Sequence, residues 1–169
     1  MEITLDKLLA SRDRRVEMQQ KLRENYPNRT LVCLTVIMPG NIKRNLSSLI
    51  VSQAAINALL NRFEGTIVDV ITRDLDTGYE AYLITSLSQR EAKIIACDIE
   101  DNHPLGRLFD IDILDNDGVP VKRETVGSSP RRCLMCDNEA RYCMRNRTHT
   151  PQELNTKIQQ MVNAYVKQL

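Results

Sequence analysis

Tryptophan is absent from the chain, and phenylalanine occurs twice against five tyrosines. Few aromatic rings are therefore available to stack against unpaired bases, which argues against a nucleic-acid binder. An excess of charge of either sign is also missing. Twenty-three Lys plus Arg against 22 Asp plus Glu give a formal charge of +1, so no global field draws polyanions or membranes. Any anion site must be local. No apolar run approaches the roughly twenty residues of a membrane span. The N-terminal MEITLDKLLASRDRR lacks the order of a secretion signal. The expectation is a cytoplasmic protein with neither nucleic acid nor membrane among its partners. No repeat or low-complexity segment appears.

What is present suits one globular core: 169 residues, 19.4 kDa, 42% hydrophobic and 27% charged. Spacings of three to seven among Leu5, Leu8, Leu9, Val16 and Leu22 predict an amphipathic helix from Thr4 to about Asn25, with Arg12 and Arg15 sharing a face. Leu31 to Met38 is a continuous apolar run, the pattern of a central strand covered on both sides. It stops at Pro39-Gly40-Asn41, and Lys43 and Arg44 follow, so a turn with two cations sits where phosphate oxygens could be held. A helix over Ser47–Phe63, capped by Ser47 or Ser48, comes next. Strands at 67–72 and 81–87 then pair across DLDTGYE. A helix over 88–101, a strand over 108–114, a hairpin through DNDG and a last helix from Pro151 complete the pattern. The expected class is α+β: one domain over residues 1–169, a mixed or antiparallel sheet flanked by about four helices, and a Cys/Arg-rich segment at about 124–150.

Two constellations carry chemistry. In the first, Asp110 and Asp112 are two apart on a predicted strand, so they leave one face about 6.5–7 Å apart. A hard divalent ion such as Mg²⁺ relieves such a pair, and magnesium implies phosphate. Just upstream, Gly106 permits close backbone approach, Arg107 can hold a phosphate bidentately, and His103 can act as a donor or general base. Metal, carboxylates and cation together suit phosphoryl or nucleotidyl transfer. In the second, Cys133-x-x-Cys136 with Cys143 and His149 supplies the four ligands of a structural zinc, although the spacing matches no standard finger. Five cysteines in all are an odd number for a disulfide framework, so reduced thiols are expected, with Cys33 and Cys97 buried in apolar runs. Arg131, Arg132, Arg141, Arg145 and Arg147 make this second stretch basic, fit for a phosphate-rich ligand or an acidic partner.

The string Gly106-Arg107-Leu108-Phe109-Asp110-Ile111-Asp112, followed by Cys133-x-x-Cys136 and preceded by Pro39-Gly40-x-x-Lys43, resembles the CitX family. These are the holo-acyl carrier protein synthases of citrate lyase, or apo-citrate lyase phosphoribosyl-dephospho-CoA transferases. The resemblance spans nearly the whole chain; Ile113 stands where the pattern has Val, and Asn41 where it has a second Pro. It implies a nucleotidyltransferase-type activity. The 2'-(5''-triphosphoribosyl)-3'-dephospho-CoA group passes to a serine of the citrate lyase gamma subunit, an acyl carrier protein, with release of pyrophosphate. On that expectation Asp110 and Asp112 hold Mg²⁺, and Arg107, Lys43, Arg12 and Arg15 grip the triphosphate. His103 or Asp98 accepts the serine proton. The basic stretch that includes Arg131 and Arg132 meets either the carrier protein or the dephospho-CoA moiety. A related transferase for another acyl carrier protein, or a zinc-stabilised module that binds RNA or protein, are the alternatives.

Overall fold

The densest apolar run becomes strand β1 (Thr30–Val36), an interior strand in a computed structural model that describes residues 1–169. The sheet has the order β2–β3–β1–β4, with β2 at Ile67–Leu75, β3 at Gly78–Thr85 and β4 at Phe109–Ile113. Every neighbouring pair is antiparallel, which decides between the two expected sheet types. Strand alternation sends Val32 and Leu34 to one face, where they join Ala81, Leu83, Phe109, Ile111 and Ile113. Helices α2 (Leu46–Arg62), α3 (Gln89–Asn102) and α5 (Pro151–Val166) cover that face and close a core of 21 buried residues. The opposite face is crossed by α1 (Leu5–Asn25). There the apolar seal is small: Leu22 against Leu31, Cys33, Tyr82, Ile84 and Leu114, near the start of β1.

That imbalance explains the main departure from the sequence reading. Leu5, Leu9 and Val16 of α1 are exposed, while Ser11, Leu22 and, in part, Arg15 and Gln19 turn inward. The sheet beneath carries Thr35, Glu80, Asp110 and Asp112, so the helix meets a polar face with its polar stripe. Smaller corrections follow the local chemistry. The cap of α2 is Asn45 rather than Ser47 or Ser48: its side chain accepts from the Ser48 amide at 2.9 Å, and Ser48 Oγ accepts from the Asn45 amide at 2.8 Å. Strands β2 and β3 run longer than expected, because Asp74 is held by Arg44 and Arg73 faces Glu80. The hairpin after β4 shrinks to one bridge between Leu114 and Pro120, where proline has no amide to continue a ladder. A fifth helix, α4 (Ala140–Asn146), lies within the Cys/Arg segment.

Gly106 is buried rather than open to a ligand, and a Cβ there would be driven into the backbone carbonyls of Ile99 and Glu100 at the end of α3. Its bare backbone lets β4 start directly against that helix. Gly106→Ala is expected to lower stability by roughly 1–3 kcal/mol or more, the scale of overpacking against atoms that cannot move aside. Urea denaturation checks this; an unchanged midpoint would show that α3 gives way freely.

Candidate active site

The strand register lays side chains in rows across the face beneath α1. Arg73, Glu80, Thr35 and Asp110 form one row, and Ile71, Tyr82, Cys33 and Asp112 form the next. Glu80 is buried, accepts from Tyr82 Oη at 3.0 Å, and is flanked by Arg15 at 4.0 Å and Arg73 at 3.9 Å. Asp110 and Asp112 are different. Asp110 is exposed, Asp112 is half-buried, and no cation lies within ion-pair distance of either. The one direct partner is the Thr35 hydroxyl, 3.5 Å from Asp110 Oδ2. Burial, then the charge of Asp110, raise the pKa of Asp112, with Lys93, Arg131 and Arg15 pulling the other way. Two carboxylates side by side with no ion-pair partner form an oxygen donor set of the kind a hard divalent cation takes.

Helix α1 brings Arg15 to the same face, where its charge acts on Glu80 and Asp112. Arg12 and Arg15 come from successive turns of α1, and the loop after β1 brings up Lys43, whose Nζ donates to the Met38 carbonyl at 2.6 Å. Gly40, at φ 80°, makes the turn, and the Ile3 amide donating to the Asn41 carbonyl at 2.7 Å ties the loop to the N-terminus. Burial, then the nearby charge of Arg12, lower the pKa of Lys43. Of the residues singled out in the sequence, Asp110, Asp112 and Arg15 therefore share one polar face, and Arg12 and Lys43 neighbour each other where α1 meets the loop after β1.

A model of the CitX family, apo-citrate lyase phosphoribosyl-dephospho-CoA transferase, matches residues 3–165. The chain belongs to this family. A probable apo-citrate lyase phosphoribosyl-dephospho-CoA transferase of Streptococcus pyogenes serotype M3 is 36% identical over 168 residues, covering 96% of this chain and 87% of the relative. A protein of the same name from Vibrio cholerae serotype O1 is 34% identical over 169 residues, covering 98% and 94%. The protein CitXG of Haemophilus influenzae is 35% identical over 163 residues, which is 95% of this chain but 35% of that relative, so the chain spans about a third of its length.

In this CitX chain His103 and Asp98, of the other expected residues, lie apart from the carboxylate face. His103 ends α3 and packs its ring on Phe109 and Tyr165, on the side of the sheet opposite Asp110; its Nδ1 accepts from the Leu105 amide at 2.9 Å, and burial lowers its pKa. Asp98 is committed to Arg62 and Asn102, and the Arg62 bond holds its pKa below the usual carboxylate range. Neither side chain reaches Asp110 or Asp112. Arg131 is also committed: it donates to Glu100 Oε2 at 3.2 Å, to the Phe109 carbonyl at 2.6 Å and to the Gly106 carbonyl at 3.0 Å. Arg132 bonds the Asp137 carbonyl at 2.8 Å on the surface. Arg107 makes no hydrogen bond or ion pair; burial, then the charge of Arg131, lower its pKa. Cys133, Cys136, Cys143 and His149 come together as a four-donor cluster that could hold a metal.

Sequence reasoning passed over Glu80, Lys93, Glu100 and Arg123. Glu100 is buried, accepts from Arg123 at 2.8 Å and from the Ile111 amide at 3.0 Å, and so occupies the open edge of β4 together with Arg131. Lys93, on the same side of α3, is 5% exposed with no direct partner, and its charge acts on both Asp112 and Glu100. A signal existed for these two: Lys93 and Glu100 fall beside Ala92, Ala96 and Ile99 on the inward stripe of α3, where a charge requires a reason.

No helix is long and apolar enough to cross a membrane.

Proposed function

We infer that this chain transfers the 2'-(5''-triphosphoribosyl)-3'-dephospho-CoA group to a serine of the acyl carrier subunit of apo-citrate lyase, releasing pyrophosphate in a nucleotidyltransferase-type step. The observation that carries this reading is a carboxylate pair without an ion-pair partner, on a face that Arg15 also reaches, with Arg12 and Lys43 beside each other next to α1, in a chain of this family. The serine Oγ of the carrier attacks the α-phosphorus, and the bond from that phosphorus to the oxygen bridging to the β-phosphate breaks. Pyrophosphate leaves with the bonding electrons, and a phosphodiester remains. Arg15, Arg12 and Lys43 orient the triphosphate and stabilise the charge that collects on the departing pyrophosphate. Asp110 and Asp112 would hold Mg²⁺, which when bound neutralises phosphate charge. Glu80, already held by Tyr82, Arg15 and Arg73, fixes the Arg15 guanidinium over the face. The serine proton passes to solvent water at this exposed carboxylate face, His103 and Asp98 being held by other partners. Arg107 is free to engage the donor, and Arg132, with the exposed Arg141, Arg145 and Arg147, presents positive charge to carrier or donor.

Incubation with apo carrier protein, the triphosphoribosyl donor and magnesium tests the reading. A carrier mass increased by the donor minus pyrophosphate supports it; an unmodified carrier overturns it. Arg15→Ala and Lys43→Ala are each expected to raise KM for the donor about 10- to 100-fold, the scale of a lost charge-assisted hydrogen bond. Steady-state kinetics at saturating carrier read this, and a change confined to the KM for carrier would move these residues to the other substrate.

A further inference from the structure

The segment between Arg131 and Thr150 folds back on itself with almost no apolar interior. Leu134 is its contribution to the main core and Cys143 its one buried residue, while Met135, Tyr142 and Met144 are exposed. A stretch so short of burial needs another source of order. Arg132 and Glu139 form an isolated bridge, with the Cys133 amide donating to the Asn138 carbonyl at 2.7 Å and the Ala140 amide to the Arg131 carbonyl at 2.8 Å. This tight turn sets Cys133 and Cys136 side by side. Helix α4 then presents Cys143, and Arg147, held in the left-handed region at φ 48°, turns the chain so that His149 returns to the same point.

The four donor atoms all lie within 4.8 Å of one another. Cys136 Sγ and Cys143 Sγ are 3.5 Å apart, well beyond a disulfide bond of about 2.05 Å and close to the edge of about 3.8 Å that tetrahedral Zn–S bonds of about 2.3 Å require. The Met135 amide donates to Cys133 Sγ at 3.4 Å, a contact that orients the sulfur. The independent observation is His149. Its Nε2 is buried with no hydrogen-bond partner, while Nδ1 faces Glu153 at 3.7 Å, the arrangement that leaves one ring nitrogen for a metal and steadies the ring through the other.

We propose that Cys133, Cys136, Cys143 and His149 bind one Zn²⁺ in a closed, tetrahedral, structural site. Three thiolates and an imidazole fill all four positions, so no place is left for water or substrate and the ion is not part of the transfer chemistry. Binding releases the thiol protons and changes no oxidation state. The consequence for the active site runs through Arg131, two residues before the first ligand. Its guanidinium braces the Gly106 and Phe109 carbonyls, immediately before Asp110. The ion fixes the segment from which that brace extends. Arg131 is thus a positioning residue, and the zinc module anchors it.

The test uses the full chain, purified under reducing conditions without chelator and then exposed to zinc alone. Elemental analysis should find about one zinc per chain, and cobalt exchanged into the site should show the intense visible bands of tetrahedral Co²⁺ with thiolate charge transfer in the near ultraviolet. Cys143→Ser and His149→Ala should lose the metal. His149→Cys should keep it with a shifted cobalt spectrum, and Cys97→Ser should be indistinguishable from the wild type. Chelation should speed amide exchange at Ile111 as well as in 131–149. Substoichiometric metal in zinc-saturated, folded protein, or a cobalt spectrum untouched by His149→Ala, would overturn the site. An unchanged exchange rate at Ile111 would overturn the link to Arg131. None of these readouts depends on whether the chain modifies a carrier protein.

Discussion

Asp112→Asn, and likewise Asp110→Asn, will stop prosthetic-group transfer while leaving the fold at least as stable as the wild type. The two carboxylates repel across one strand face and have no ion-pair partner, so in metal-free buffer they are a cost to the folded state. Replacing either with the isosteric amide removes the repulsion and keeps the shape. Transfer should fall at least about a hundredfold, the effect of deleting one preorganised electrostatic group from a polar site. The sign of the pH dependence follows from the raised pKa of Asp112. Its contribution to stability is complete below the unfolded value of about 3.9 and is lost as pH rises through the higher folded value. Metal-free wild type should therefore weaken upward from about pH 4 relative to Asp112→Asn, as read by urea midpoints across that range. Added magnesium should raise the melting temperature of the wild type and leave both variants unmoved, because an ion that binds only the folded state stabilises it by mass action. A variant that transfers at the wild-type rate would remove Asp110 and Asp112 from the mechanism.

The periodic parts of the fold were legible because burial writes itself as a period. The apolar run of β1, the Asp110–Asp112 alternation on β4 and the Thr150–Pro151 start of α5 all lie where the pattern places them. Helix α1 shows where the same logic fails. Its leucines made a plausible stripe, yet the stripe that faces inward is the polar one, since the face it covers is built for charge. A period reports that one side of a helix differs from the other; it does not report which side a functional surface prefers. Gly106 and Arg131 carry a structural part that the sequence hid for a related reason. Their residue types suit phosphate binding, but the fold uses them to join β4 to α3, and only the tertiary placement of Glu100, nine residues before Phe109, reveals that use. The cysteine cluster was legible as composition and spacing. What the sequence could not hold was the convergence of the four donors within 4.8 Å of one another.

Glu100→Ala should cost as much stability as truncating a large core side chain. β4 is an edge strand, and an open edge must be closed by something. Here side chains do it: Glu100 Oε2 accepts from the Ile111 amide, and Arg131 donates to the Phe109 and Gly106 carbonyls. Glu100 also holds Arg123, which bonds Asp101 at 2.5 Å and the Ser129 carbonyl at 2.8 Å and so pins the start of the Cys/Arg segment to α3. Burial pushes the Glu100 pKa up, against the pull of Arg131, the Ile111 amide, Arg123 and Lys93, so the carboxylate sits inside the protein because these donors surround it. Removing it leaves two guanidiniums and a strand amide without their shared acceptor. The expected loss is about 3–5 kcal/mol, the range for breaking a buried ion pair by deleting one partner. For a chain of this size that lowers the melting temperature by roughly 6–20 °C. Glu100→Gln keeps an acceptor for the Ile111 amide and should lose less, and Lys93→Met, which replaces a mostly buried side chain that forms no ion pair, should lose less again. Transfer activity in Glu100→Gln should fall further than its stability requires, because β4 carries Asp110 and Asp112 and a looser edge moves both.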